Sequence, residues 1–349
     1  MEMKGIKQVS FLALILLCVV FTAGCFGRDK RQGDVSEKDG SEKLKVVTTI
    51  FPYYDFVRQI AGDKVELRLV VPAGMDTHSF EPTAEDMVAI SEADVFIYNG
   101  GEMENWVSRV LSAADAGNLR IETMMEQVDT LEEEIVEGMS GGESGDGGAV
   151  HGDNGNDSTE SVYGGDGGEV HNETEADEHV WTSPINAKLL VSYIEDVLVE
   201  EDSVNRDFYN KNAAMYIDKL DALDKQISEV VSKGKRQTLV FADRFPLRYF
   251  TEEYNLSYSA AFPGCSADIE PSADTIAVLI DKAVSEDIPA VLKIELTSSR
   301  VADVIADAAE TEVETFYTCH NVTPEQFAQG ISYVELMEHN IEVLKKALY

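Results

Sequence analysis

Basic residues are scarce in this chain: 28 lysines and arginines face 65 aspartates and glutamates, a net charge of −37 over 349 residues. A protein this acidic repels polyanions, which excludes nucleic acid as a partner and excludes adhesion to membranes through basic patches. Cysteine is rare as well, four in all, which excludes a disulfide-built scaffold. No His-Glu-x-x-His helix occurs, and no Ser-His-Asp order can be placed, so the usual signatures of a zinc hydrolase or a serine hydrolase are missing. The apolar run at 11–21 (FLALILLCVVF) has eleven residues, too few for a bilayer span of about 20.

That run instead suits the core of an export signal. Lys4 and Lys7 precede it, and Thr22-Ala23-Gly24-Cys25 follows. Small residues ahead of a cysteine at this place resemble the bacterial lipobox. Residues 1–25 are therefore expected to be a lipoprotein signal with Cys25 lipidated; the plainer alternative is an ordinary cleaved signal in which Cys25 is incidental. Residues 26–44 are polar and aperiodic, as a flexible tether would be.

From residue 45 the pattern alternates strands and helices, the mark of a parallel α/β fold. Strands are expected at 45–51, 65–71 and 94–98, with helices at 54–61 and 84–91. A second series follows: strands at 238–241, 256–260, 290–295 and 313–317, and helices at 245–254, 272–285, 299–309 and 324–347. Between the two lies a helix at 206–232 on which Tyr216, Leu220, Leu223, Ile227 and Val230 form one apolar stripe. At 1.5 Å per residue it would be about 40 Å long. The expected architecture is two Rossmann-like α/β lobes (45–205 and 235–349) joined by one long rigid helix (206–234), with a ligand site in the inter-lobe cleft.

Residues 126–178 contain 17 acidic residues and no lysine or arginine. Within them, about 138–176 is rich in Gly, Asp, Asn and Ser and has too little apolar content to fold, so it reads as a disordered insertion. His151 and His171 lie in it, either as weak cation-attracting groups or as inert loop residues. Of the other histidines, His339 falls inside the last helix and reads as a structural or surface residue, whereas His78, His179 and His320 each lie on a loop next to a strand or helix end. Neutral imidazoles suit zinc, but ligands this far apart in sequence must be brought together by the fold.

Two local contexts sharpen that reading. Residues 75–82 (MDTHSFEP) and 177–184 (DEHVWTSP) resemble the two first-lobe ligand motifs of the zinc/manganese-type solute-binding lipoproteins of metal ABC transporters (cluster A-I). Residues 46–65 and 99–107 fit the same family, and the resemblance covers 45–349. It implies that His78 and His179 bind metal. Where many members carry a histidine after the strand that follows the long helix, this chain reads Phe241-Ala242-Asp243, which makes Asp243 the substitute oxygen ligand. Where the family's last aspartate is usual, His320 stands, so the implied ligand set is His78, His179, His320 and Asp243. Cys265 occupies the place of a carboxylate ligand in manganese-type relatives; it could serve as a thiolate ligand or pair with Cys319 in a disulfide. Glu295 is expected either to orient a ligand through a hydrogen bond or to be a surface carboxylate.

The resemblance implies a monomeric, non-enzymatic protein held by a lipid anchor on the extracytoplasmic face of the membrane. It would capture a divalent metal, Zn(2+) before Mn(2+), and pass it to an ABC permease and its ATPase. The alternatives are a zinc-dependent hydrolase and a metal-binding surface adhesin.

Overall fold

The protein's structure is a computed structural model that describes residues 43–113, 117–139, 175–266 and 270–349. The signal segment with Cys25, nearly all of the tether, and the insertion from 140 to 174 with His151 and His171 lie outside the described residues.

The first lobe runs β1 (Leu44–Thr48), α1 (Phe51–Ala61), β2 (Val65–Leu69), α2 (Ala84–Ser91), β3 (Val95–Tyr98), α3 (Trp106–Ala113) and β4 (Arg120–Thr123). Its sheet has the order β2-β1-β3-β4 with every pairing parallel. Two helices follow: α4 (Pro184–Glu201), packed on α1 and α5, and α5 (Arg206–Lys233), which bridges the lobes. The second lobe runs β5 (Thr238–Phe245), α6 (Arg248–Glu253), β6 (Ser257–Pro263), α7 (Ala273–Ser285), β7 (Ala290–Ile294), α8 (Arg300–Ala309), β8 (Glu312–Phe316), α9 (Pro324–Gln329) and α10 (Tyr333–Leu348). Its sheet repeats the first, β6-β5-β7-β8, again all parallel. In both sheets the first strand has neighbours on either side that lead away in opposite directions. This is the arrangement that opens a crevice at the carboxyl ends of the strands.

The strands read as β-branched runs because both faces of a parallel sheet are covered. Val46, Val47, Val95 and Ile97 of the first sheet are buried, as are Val240, Val291 and Leu292 of the second. One apolar core continues from the first sheet through α4 and α5 to α10; a smaller cluster of Val240, Leu279, Val291 and Ile305 seats α7 and α8 on the far side of the second sheet. The stripe anticipated on α5 is buried along its length, from Tyr216 through Leu220, Leu223 and Ile227 to Val230. Burying each such leucine or isoleucine stabilises the fold by about 1.5–3 kcal/mol. That stripe packs on α1, α4 and α10, so α5 is fastened to both lobes.

A buried carboxylate locks the same junction. Asp55 on α1 accepts hydrogen bonds from Arg58, Gln59, the Tyr216 hydroxyl on α5 (3.0 Å) and the Tyr333 backbone N–H that opens α10 (2.8 Å). Arg58 in turn donates to the carbonyls of Gly330 and Ile331.

Some element limits differ from the sequence reading. β1 stops at Thr48, and α1 already begins at Phe51, because Pro52 fits the first helical turn. The expected single helix at 324–347 is two helices: Gly330 adopts a left-handed conformation (φ 74°) that ends α9, and a Ser332–Glu335 capping box restarts the chain as α10.

Candidate metal centre

Three loops at the carboxyl ends of the strands carry His78, His179 and His320, and in each the residue two positions earlier sets the histidine. Asp76 caps the short 3-10 turn Thr77–Ser79, its carboxylate accepting from the His78 backbone N–H at 2.9 Å. Asp177 accepts from both the backbone N–H of His179 (2.8 Å) and its ring Nδ1 (3.0 Å). Thr318 meets His320 Nδ1 through its hydroxyl at 2.8 Å.

These partners decide which ring nitrogen is free. Asp177 is an acceptor, so it draws a proton onto Nδ1 of His179 and leaves Nε2 with a lone pair. The Thr318 hydroxyl gives its one hydrogen to Glu295 Oε1 (2.8 Å) and therefore accepts from His320 Nδ1–H. Glu295, buried, also accepts from the Thr318 N–H at 2.7 Å. The Nε2 atoms of His179 and His320 are buried and have no protein partner. Two such lone pairs, buried side by side, suit a shared metal ion.

The rings of His179 and His320 are 4.7 Å apart between centroids, and His78 lies 5.9 and 5.6 Å from them. One ligand nitrogen from each lies within 4.8 Å of the other two. In a tetrahedral zinc site, with Zn–N near 2.0–2.1 Å, the nitrogens would be about 3.3 Å apart, so a contraction of about 1.5 Å at most completes the geometry. The loops that hold the rings are tied together across the lobes. Asn321 donates to the Pro72 and Met75 carbonyls (2.8 and 2.9 Å), and Arg244 at the end of β5 reaches Asp76 at 2.9 Å. Trp181 walls the site from below, its ring against His320 and His179 and its Nε1–H on the Thr318 carbonyl.

Burial, then the neighbouring His179 and Arg244, pushes His78 down to about 3; burial and the neighbouring His179 hold His320 well below the usual imidazole range. Both rings are thus neutral near pH 7. Protons should compete with metal far less than at ordinary imidazoles. Three imidazoles of pKa near 6.5 would weaken zinc binding about fiftyfold between pH 7.5 and 6.0. Here the loss over that interval, measured by titration against a competing chelator, is expected to be under about fivefold.

The other expected site residues fall elsewhere. Asp243 is not among the groups that converge on the imidazoles. It lies at an irregularity in the β5–β6 pairing, and its oxygens are taken by the N–H groups of Arg244 and Ile294 and by the Thr297 hydroxyl. Cys265 and Cys319 are free thiols, so the disulfide is not formed. Cys319 is turned into the main core, whereas Cys265 is half-buried beside Glu133. Burial, with Glu178 and Asp177 nearby, raises the Cys265 thiol and makes it a poor thiolate ligand. Glu295 reaches His320 through the Thr318 hydroxyl and is not a surface carboxylate.

Asp76, Asp177 and Thr318 were not singled out from the sequence, yet the signal was present as Asp-x-His, Asp-x-His and Thr-x-His. Thr318→Val keeps the side-chain shape and removes the hydroxyl that fixes the His320 tautomer. Zinc affinity should fall about 10–100-fold, the usual cost of losing an orienting partner, with an unchanged far-UV circular dichroism spectrum.

Two parallel-sheet lobes enclosing three inward imidazoles define the class: a solute-binding protein built around a metal site. The chain belongs to the family of zinc-uptake complex component A (ZnuA, periplasmic), whose profile matches residues 46–347. It is 30% identical over 342 residues to the high-affinity zinc uptake system protein ZnuA of Bacillus subtilis, covering 98% of each chain. It is 31% identical over 340 residues to the zinc-binding lipoprotein AdcA of Streptococcus pneumoniae; this covers 97% of the present chain but spans 61% of that relative's length. The solved Zn(II)-bound ZnuA-like domain of the pneumococcal AdcA superposes with a TM-score of 0.67 at 28% identity, covering 88% of this chain and 99% of that one.

Proposed function

We propose that this protein captures one zinc ion on the Nε2 atoms of His179 and His320 and one ring nitrogen of His78, and delivers it to the permease and ATPase of an ABC importer. The observation that carries the reading is the pair of buried, partnerless Nε2 atoms beside a third imidazole, all within one ion's reach. Three nitrogen donors, with no carboxylate among the described residues joining them, favour zinc over manganese, which prefers oxygen. Family membership supports a solute-binding role and not an enzymatic one. The protein would work as a monomer on the extracytoplasmic face of the membrane, anchored through a lipid on Cys25. Its lobes would be 45–205 and 235–349, joined by 206–234, with the acidic segment at 138–176 inserted in the first. The α5 stripe and the Asp55 network favour small loop movements for release over a wide hinge.

Calorimetry on the chelator-stripped protein is expected to give one tight zinc per chain and weaker manganese. Absence of zinc binding would remove the proposal.

A further inference from the structure

The three imidazoles leave a zinc ion one position short of tetrahedral coordination, and the nearby carboxylates are engaged elsewhere. Asp76 serves the His78 N–H and Arg244, and Asp177 serves His179. Asp243 is held by Arg244 N–H, Ile294 and Thr297, and Glu295 by Thr318. Among the described residues no oxygen ligand joins the group. The site instead opens on a cavity of about 120 Å³ that touches His78, His320 and Arg244. It adjoins a larger one of about 480 Å³ that shares His78 and Arg244 and is also lined by Thr297, Ser298 and Arg300. At about 30 Å³ per water, even the smaller has room for more than a single water.

Arg244 gives this space its chemistry. Its side chain is 16% exposed, and one terminal nitrogen donates to Asp76. A guanidinium carries five N–H donors in a flat fork that matches a carboxylate, and it is always charged. A fixed cation beside a bound dication disfavours any further cation and favours an anion that can bridge the two. The net charge of −37 draws cations to the protein as a whole, so selectivity for an anion here depends on this local pair of charges.

We propose that zinc is held in this protein together with a small carboxylate anion from solution, one oxygen on the metal and the other on the Arg244 guanidinium. The inference rests on zinc capture by His78, His179 and His320, and it names the cargo as a metal–carboxylate pair.

Acetate is the suitable probe, because it complexes free zinc weakly. Zinc affinity of the full, chelator-stripped chain would be measured in chloride-free buffer, with and without acetate, at equal ionic strength set by perchlorate. By mass action the affinity should rise about tenfold when acetate exceeds its own dissociation constant about tenfold. In Arg244→Gln, compared with its own acetate-free titration, the gain should fall to about onefold. With cobalt(II) in place of zinc, acetate should shift the visible bands of the wild-type complex, a sign of a new inner ligand. An acetate-independent affinity with unmoved cobalt bands would overturn the inference, meaning water or a carboxylate of the chain itself fills the position, while zinc capture would stand. An equal gain with chloride would overturn the carboxylate assignment. Failure of zinc to bind under any of these conditions would instead remove the underlying function.

Discussion

Replacing His179 with alanine should weaken zinc binding by about a thousandfold or more. Residues that merely orient a ligand are worth about 10–100-fold, and this substitution removes a donor atom itself. His179 is fully buried, pinned through both its backbone N–H and its Nδ1 to Asp177, with its Nε2 otherwise partnerless. Neither carboxylate beside it in sequence can swing in to replace it, since Asp177 faces the other ring nitrogen and Glu178 is occupied with the backbone N–H groups of Glu102 and Met103. Competition with a chromophoric chelator would read the loss, with His339→Ala as the comparison. That histidine, within α10, meets the Tyr317 ring edge-on and is outside the imidazole group. A variant at 179 that still bound zinc within about tenfold of the wild type would place the metal elsewhere.

The largest effect on stability is expected at Asp55. Its side chain is inaccessible to solvent, and it satisfies donors on three helices, α1, α5 and α10. Asp55→Ala strands the Tyr216 hydroxyl and the Tyr333 N–H in an apolar setting and deprives Arg58 of its partner. Breaking a buried charged network by removing one member costs about 3–5 kcal/mol. For a chain of this size, that lowers Tm by about 4–7 °C. Thermal unfolding of the metal-free protein by circular dichroism would measure it, and a Tm within about 2 °C of wild type would show that the network carries little of the stability. Because the same contacts fasten the two lobes to α5, the variant should also bind zinc less tightly than its folded fraction alone would explain.

Much of the architecture was legible in the chain. The repeated strand–helix alternation, the 4-3-4-3 stripe on α5 and the histidine motifs at 75–82 and 177–184 are local patterns, and local patterns survive in one dimension. The missed details have physical causes of the same kind. Gly330 splits the last helical segment because a single left-handed residue outweighs a run of good helix formers, and a capping box then restarts it. β4 and α3 are only four and eight residues long, too short for a pattern to stand out along the chain.

The ligand set divides along another line. The resemblance carried by residues 75–82 and 177–184, more than composition or charge, implied without any coordinates that a divalent cation bound through nitrogen was the ligand to look for. Which histidines meet, which nitrogen His179 and His320 leave without a partner, and that Asp243 and the two cysteines lie outside the imidazole group were decided only by the tertiary structure. The reason is distance in sequence: His78 and His320 are 242 positions apart, and what joins them is the strand order of two sheets and the cross-lobe bonds of Asn321 and Arg244. A β-strand irregularity at 241–244 turns Asp243 toward Thr297 and Arg244 toward Asp76, and no residue-type pattern along the chain encodes that turn.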